Sequence, residues 1–250
     1  MSRIFFISDA HLGPEGKEAG CQREKFLLDF LNYVEKKGER LYIVGDLFDF
    51  WFEYRSVIPR RYFHILCTLK KLVNRGVEVG YVIGNHDYWM DSFFQDQLGI
   101  QVYQDTLEIT IDGKHFLVAH GDGLSKSDVG YRILKRVLRY PFNIRLFRLL
   151  HPAMGFALAG FFSKLSRNCR EVKNRDAEYI RYAEERFAEG FDGVVFGHTH
   201  RPQEYRKDGR VYINTGDWMN HFTYGKLEKG RLSLEYWTTE AIPATKRKEG

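Results

Sequence analysis

Asp9, His11, Asp46, Asn85, His86, Asp87, His120, His198 and His200 are the residues of this 250-residue chain whose types and placing suit chemistry. Each stands just past a short apolar run. RIFFIS leads into Asp9-Ala-His11, RLYIV into Gly45-Asp46, and GYVI into Gly84-Asn85-His86-Asp87. HFLVA leads into His120-Gly121-Asp122, and GVVF into Gly197-His198-Thr199-His200. In open α/β sheets, sites form outside the carboxyl ends of the strands, so these runs would deliver their polar residues to one edge. Carboxylates, imidazoles and an amide oxygen together suit Mn2+, Fe2+ or Zn2+ rather than a metal that prefers thiolates. If the chain is locally extended, residues i and i+2 of DAH and HTH point the same way, and each pair supplies two ligands. A lone histidine at a strand end is more often a hydrogen-bonded core or surface residue. Five strand ends in order, two of them with paired ligands, are a different matter.

The elements that would position these residues alternate in type. RIFFIS, RLYIV and VEVGYVI read as buried strands. Between them, Glu24–Lys37 carries Phe26, Leu27, Phe30, Leu31 and Val34 on one helical face and stops at Gly38. Arg60–Arg75 repeats the pattern and stops at Gly76. This βαβαβ rhythm predicts parallel strands with helical crossovers. LEITIDGKHFLVAH reads as a hairpin turning at Asp112-Gly113. GVVF, RVYIN and GRLSLEYW are predicted as further strands, the last two joined by turn-rich sequence that includes NTGDWMNHFTY.

Between the two sets of strands, Ser125–Glu189 reads as helical throughout, a cap inserted at one end of a sheet core. Residues 1–243 are expected to form one domain with this insertion, and 244–250 a disordered tail. From Tyr131 to Arg175 there are eleven Lys and Arg against one acid, Glu171, although the whole chain carries only +5. The positive charge is therefore local, and it predicts an anionic partner met by the cap. Aromatic and aliphatic residues interleave with it, which suits an amphiphile, with apolar tails between helices and phosphates on Arg and Lys. Leu149–Ser163, charge-free but only fifteen residues long, is short of the about 20 needed to span a bilayer. Met1 leads almost directly into RIFFIS, so no signal peptide is expected. Cys21, Cys67 and Cys169 form no CxxC and read as reduced structural thiols. The expected location is the cytoplasm, peripheral on the inner face of the cell membrane.

DAH, GDLFD, GNHD, HGD and GHTH together resemble the five motifs of the calcineurin-like metallophosphoesterases. The resemblance implies an α/β fold, a four-layer αββα sandwich of two mixed sheets with the helical cap inserted. It implies that Asp9, His11 and His200 hold one divalent ion and Asn85, His120 and His198 another, with Asp46 bridging both. Mn2+ is expected ahead of Fe or Zn. His86 would sit beside the scissile phosphate, with Asp87 orienting it. The implied reaction is metal-dependent hydrolysis of a phosphoester or pyrophosphate, in which hydroxide attacks phosphorus in line between ions about 3.5–4 Å apart. No protein nucleophile is required, in keeping with the lack of a GxSxG motif.

The cap is similar to that of the UDP-2,3-diacylglucosamine pyrophosphatase branch, which cleaves a nucleotide-lipid pyrophosphate in the lipid A pathway. Asp128 and Tyr131 follow the HGD motif at the branch's spacing. Ser166, Arg170 and Lys173 stand where the branch has Ser, Asn and Lys in contact with substrate. Asn85, His86 and His198 would complete the substrate contacts. The branch usually reads GNRD where this chain reads GNHD. Two other readings compete. One is a metallophosphoesterase for another nucleotide, a phosphodiester or a nucleic acid. Nucleic acid is disfavoured because the basic residues interleave with Leu and Phe rather than line a polar groove. The other is a non-catalytic binding module, which predicts missing ligands, whereas every implied position is filled. No protein partner is implied.

Overall fold

The computed structural model describes residues 3–13, 17–124, 135–158 and 176–238. Two sheets lie face to face. The first has the spatial order β11 (Arg231–Tyr236), β10 (Thr223–Glu228), β1 (Arg3–Ile7), β2 (Arg40–Val44), β3 (Glu78–Val82), β4 (Gln101–Tyr103). The second has the order β5 (Thr106–Ile111), β6 (Lys114–Ala119), β7 (Gly193–Phe196), β9 (Arg210–Thr215), β8 (Pro202–Lys207). Strands β1 to β4 run parallel, as do β6, β7 and β9, with antiparallel strands at the margins. Both sheets are therefore mixed, and the parallel centre of each brings its carboxyl ends to one edge.

The strands are apolar on both faces because both faces are covered. In β1, Phe5 and Ile7 pack towards the helices while Ile4 and Phe6 pack between the sheets. In β2, Leu41 and Ile43 alternate in the same way with Tyr42 and Val44. On the second sheet, Phe116, Val118, Val195 and Ile213 face inwards, and Leu117, Val194, Phe196 and Tyr212 face out. Fully burying each such side chain is worth roughly 1.5–3 kcal/mol.

Helices α1 (Lys17–Lys37) and α2 (Phe63–Asn74) cover the first sheet, burying Leu27, Phe30, Leu31, Ile65 and Leu69. Helix α1 begins earlier than the predicted Glu24. Its first turns carry no apolar stripe; instead Arg23 is drawn in, donating to the carbonyls of Ala10 (3.4 Å) and His11 (3.0 Å). Helix α3 (Pro141–Arg148) belongs to the cap and buries no side chain. Helix α4 (Asp176–Ala188) lies on the outer face of the second sheet through Tyr179, Ala183 and Phe187. The segment expected as one cap, 125–189, is thus divided: its last helix is the fourth layer of the sandwich.

The predicted hairpin is present as β5–β6, with Asp112 and Gly113 at φ 51° and 76°. Strands β4, β8 and β10 were not predicted. β8 lies at an edge with a polar, partly exposed sequence, and β4 spans only Gln101–Tyr103. β10 contains Gly225, where a Cβ would come within 2.6 Å of Ile213. Cys21 and Cys67 are exposed free thiols rather than the structural ones expected, and Cys169 lies outside the described residues. The tail 244–250 does too.

Candidate metal centre

Asp9 and His11 follow β1, Asp46 follows β2, Asn85 and His86 follow β3, His120 follows β6, and His198 and His200 follow β7. Among the described residues, the ligand atoms of Asp9, His11 and His200 lie within 4.8 Å of one another, and so do those of Asp46, His120 and His198. Asp46 links the groups: its Oδ2 is 3.3 Å from His120 Nε2 and 3.7 Å from His11 Nε2. Asn85 Oδ1 is 3.3 Å from His120 Nε2, which places the amide oxygen beside the second group.

The chain reaches this arrangement without being extended. Asp9, His11, Asp46, His198 and His200 all have positive φ, from 43° to 69°. The expectation that i and i+2 share a direction along an extended chain is corrected accordingly. Asp9 and His11 do enter one group, but His198 and His200 are split between two. The reason is that each strand has just ended and its chain must turn away at the sheet edge. Such left-handed residues cost roughly 1–3 kcal/mol each and persist only where their surroundings hold them. Here Asp9 N donates to Gly45 O (3.1 Å), His11 N to Asp46 O (3.0 Å) and Trp218 N to Asp9 O (3.2 Å). Close approach also fixes Gly84, where a Cβ would lie 2.1 Å from Asp46 Oδ1.

Hydrogen bonds fix which atom each ligand presents. His120 Nδ1 donates to Val44 O at 2.8 Å, leaving Nε2 facing Asp46 and Asn85. Asp46 Oδ1 accepts from His86 N at 2.8 Å, so Oδ2 is the oxygen left facing the centre. Asp9 Oδ2 accepts from Ser8 Oγ and from His198 N. Asp9 Oδ1 and Asp46 Oδ2 are buried and, among the described residues, have no hydrogen-bond partner. Buried carboxylate oxygens rarely stay that way unless a further partner belongs there, and convergent oxygen and imidazole donors fit divalent cations. Burial would raise the Asp9 carboxyl, yet His200, His11 and His120 hold it well below the usual carboxylate range. Asp46 is likewise lowered, with His120, His86 and His11 outweighing burial. Burial opposes charge on His120 as well, but Asp46, Asp9 and Asp122 push it up to about 10. Burial pushes His11 down. A cation that displaces the proton from His120 would leave the whole set in its ligating state.

His86 forms a third such group with His11 and Asp46, its ring 4.7 Å from that of His11. Its Nδ1 donates to Asp49 O at 2.8 Å, which turns Nε2 away from the loop. Asp87 does not orient it, contrary to expectation. The Asp87 oxygens accept from Gly84 N (2.8 Å), Leu47 N (2.9 Å) and the Tyr81 hydroxyl, stitching the loop after β3 to the loop after β2. Asp49, the last residue of GDLFD, has the place expected of Asp87. Its carboxylate stands 3.8 Å from His11 Nδ1 and 3.9 Å from His86 Nδ1. The motif contained Asp49, but nothing in the sequence separated its role from that of its neighbours.

The described part of the cap rests on the same loops. Phe147 of α3 packs on Phe52 and Trp89, with ring centroids 4.7 and 4.9 Å apart, and Phe156 packs on Phe50 at 5.5 Å. Trp89 Nε1 donates to Leu138 O at 3.3 Å, and Lys135 Nζ pairs with Asp122 of HGD at 2.8 Å. The cap positions Asp128, Tyr131, Ser166, Arg170 and Lys173 lie outside the described residues.

Known proteins are similar over almost the whole chain. UDP-2,3-diacylglucosamine hydrolase of Porphyromonas gingivalis is 32% identical, covering 94% of this chain and 97% of its own. The proteins of that name from Haemophilus influenzae strain PittGG (30%) and Neisseria meningitidis strain MC58 (28%) each cover 89% of this chain, and 93% and 92% of their own. Residues 2–202 match the family model of the calcineurin-like phosphoesterases. Two packed mixed sheets, polar ligands at the ends of their parallel strands and this match make the chain a member of the calcineurin-like phosphoesterase family and a metal-dependent hydrolase.

Proposed function

We propose that the chain hydrolyses the pyrophosphate of UDP-2,3-diacylglucosamine by attack of water on the nucleotide-side phosphorus, giving UMP and a lipid 1-phosphate. The observation that carries this reading is likeness to relatives named for that substrate along nearly their full length. A complete set of ligands at the strand ends supports it. Asp9, His11 and His200 would hold one divalent ion, Asn85, His120 and His198 a second, and Asp46 both, with Mn2+ first and Fe or Zn as alternatives. When bound, such ions lower the pKa of water towards neutrality and draw charge from phosphoryl oxygens. The side chains supply the rest. His86, held through Nδ1 by the Asp49 carbonyl, presents Nε2 to the phosphate and donates a proton to the leaving oxygen.

The cap takes the lipid. Its described surface exposes Tyr140, Phe142, Leu146, Leu149 and Met154 alongside Arg145, a composition suited to acyl chains and an anionic bilayer surface. Among the described residues no helix is long and apolar enough to cross a membrane; the exposed apolar and basic side chains support peripheral contact, on the cytoplasmic face in this reading. Asp128, Tyr131, Ser166, Arg170 and Lys173 complete the proposed substrate contacts. Each buried CH₂ is worth about 0.8 kcal/mol, so two tails would dominate affinity. The test compares kcat/KM for UDP-2,3-diacylglucosamine, UDP-glucosamine and single-stranded DNA. A large preference for the acylated sugar is expected. His86, in place of the branch's Arg, favours a general phosphoesterase as the second reading; equal rates on the two sugars, or preference for DNA, would select it.

A further inference from the structure

NTGDW, residues 214–218, spans the end of β9 and the loop after it and contains none of the candidate ligands. It nevertheless touches both ligand loops. Asn214 Nδ2 donates to Gly197 O at 2.6 Å, and Gly216 N donates back to Asn214 Oδ1 at 3.1 Å. Trp218 N holds Asp9 O. Between them the Thr215 hydroxyl lies 2.6 Å from Ser8 Oγ, and Ser8 Oγ in turn contacts Asp9 Oδ2. Both hydroxyls are buried.

The donors in this chain can be assigned. Ser8 Oγ gives its single proton to Asp9 Oδ2, its shortest contact, rather than to Gly216 O at 3.4 Å. Ser8 Oγ must then accept from Thr215, whose other contact, Phe196 O, is longer at 3.2 Å. Hydroxyls linked head to tail polarise one another. With His198 N at 2.8 Å, Asp9 Oδ2 has two donors, while Asp9 Oδ1 faces His200 Nε2 at 3.2 Å. Space is reserved for the arrangement: a Cβ on Gly197 would come within 2.5 Å of Ser8 Oγ and 2.6 Å of Asp9 Oδ2.

We propose that Thr215, acting through Ser8, is a positioning residue for Asp9. The relay Thr215 hydroxyl, Ser8 hydroxyl, Asp9 Oδ2 occupies one carboxylate oxygen and turns the other to the centre as a single ligand atom. It starts on β9 of the second sheet and ends just past β1 of the first, so it ties one ion's ligands across the sandwich. The inference rests on the metal-centre reading but is independent of the substrate.

The test is calorimetric titration of metal-free protein with Mn2+, alongside thermal unfolding. Thr215→Val keeps the shape and removes the hydroxyl; Thr215→Ser restores it. One binding step, that of the Asp9 group, should weaken about 10–100-fold in Thr215→Val, the size expected on losing a group that orients a ligand. The other step should hold, and Thr215→Ser should return to within a few-fold of the unmodified chain. Ser8→Ala should weaken the same step, a check should either variant at 215 fold poorly. Unchanged affinities in Thr215→Val, or equal weakening of both steps that follows lost stability and is not rescued by Ser, would overturn the proposal. Failure to turn over the lipid would leave it standing. An unmodified chain that binds no Mn2+ would remove it together with the centre.

Discussion

Asp46 is the residue on which the centre turns. One oxygen is held by the His86 amide, and the other faces imidazoles of both ligand groups. Asp46→Ala is therefore expected to abolish activity by orders of magnitude and to reduce bound metal below that of His120→Ala, with the far-UV spectrum unchanged; metal analysis of the folded variants checks this. His86 belongs to a different class of effect. His86→Ala should keep its metal content while kcat falls roughly 10²–10⁴-fold, the usual contribution of a positioned acid. A His86→Ala variant that turns over at the unmodified rate would exclude that role. The candidate ligands could be read from the sequence because chemistry restricts such groups to a few residue types at strand ends. Their supports could not. Ser8, Arg23, Asp49 and Thr215 act through contacts between residues far apart in sequence, and no local pattern marks a serine that reaches a threonine 207 residues away.

At the scale of elements, what was legible followed burial. Strands β1 to β3 and β7 are apolar because both faces are covered, and α1 and α2 show one stripe because one face is. Strands β8 and β10 escaped because polar edge strands and strands with close-packed glycine carry no such pattern. The loop after β9 shows how a turn-rich stretch can be a rigid element. Asp217 Oδ1 accepts from the amides of Met219 (3.0 Å), Asn220 (2.7 Å) and His221 (3.0 Å), and Oδ2 is 3.2 Å from His221 Nδ1. Burial would raise the Asp217 carboxyl, but His221 and these amides hold it below its ordinary value. A carboxylate lowered on folding adds stability that is complete above the unfolded pKa, about 3.9. That stability is lost as pH falls through the folded value. Urea unfolding in EDTA, which removes the metal contribution, should show the gap between the unmodified chain and Asp217→Asn narrowing below about pH 4. A gap that stays constant with pH would show that the charge of Asp217 contributes nothing. At pH 7, Asp217→Ala should cost roughly 1–3 kcal/mol, since buried amides lose their acceptor.

On the scale of the whole molecule, two packed sheets place the candidate ligands, and the described part of the cap packs on the motif loops through Phe147 and Phe156. The cap's charge was plain in the sequence, whereas its seat on Phe50, Phe52 and Trp89 required the fold. Vesicle sedimentation should show binding to anionic bilayers that weakens with salt and with Leu149→Glu, because charge and apolar contact act together on this face. No binding, or binding unaffected by both changes, would contradict the proposed membrane contact of the cap. The central claim, that a metal centre delivers water to the nucleotide-side phosphorus of a lipid pyrophosphate, is tested most directly by turnover of UDP-2,3-diacylglucosamine in ¹⁸O-water followed by mass spectrometry. The expected result is UMP carrying one ¹⁸O and an unlabelled lipid 1-phosphate in equal amounts, lost on removal of metal and in Asp46→Ala. Label in the lipid phosphate, release of UDP, or equal turnover after metal removal would contradict it.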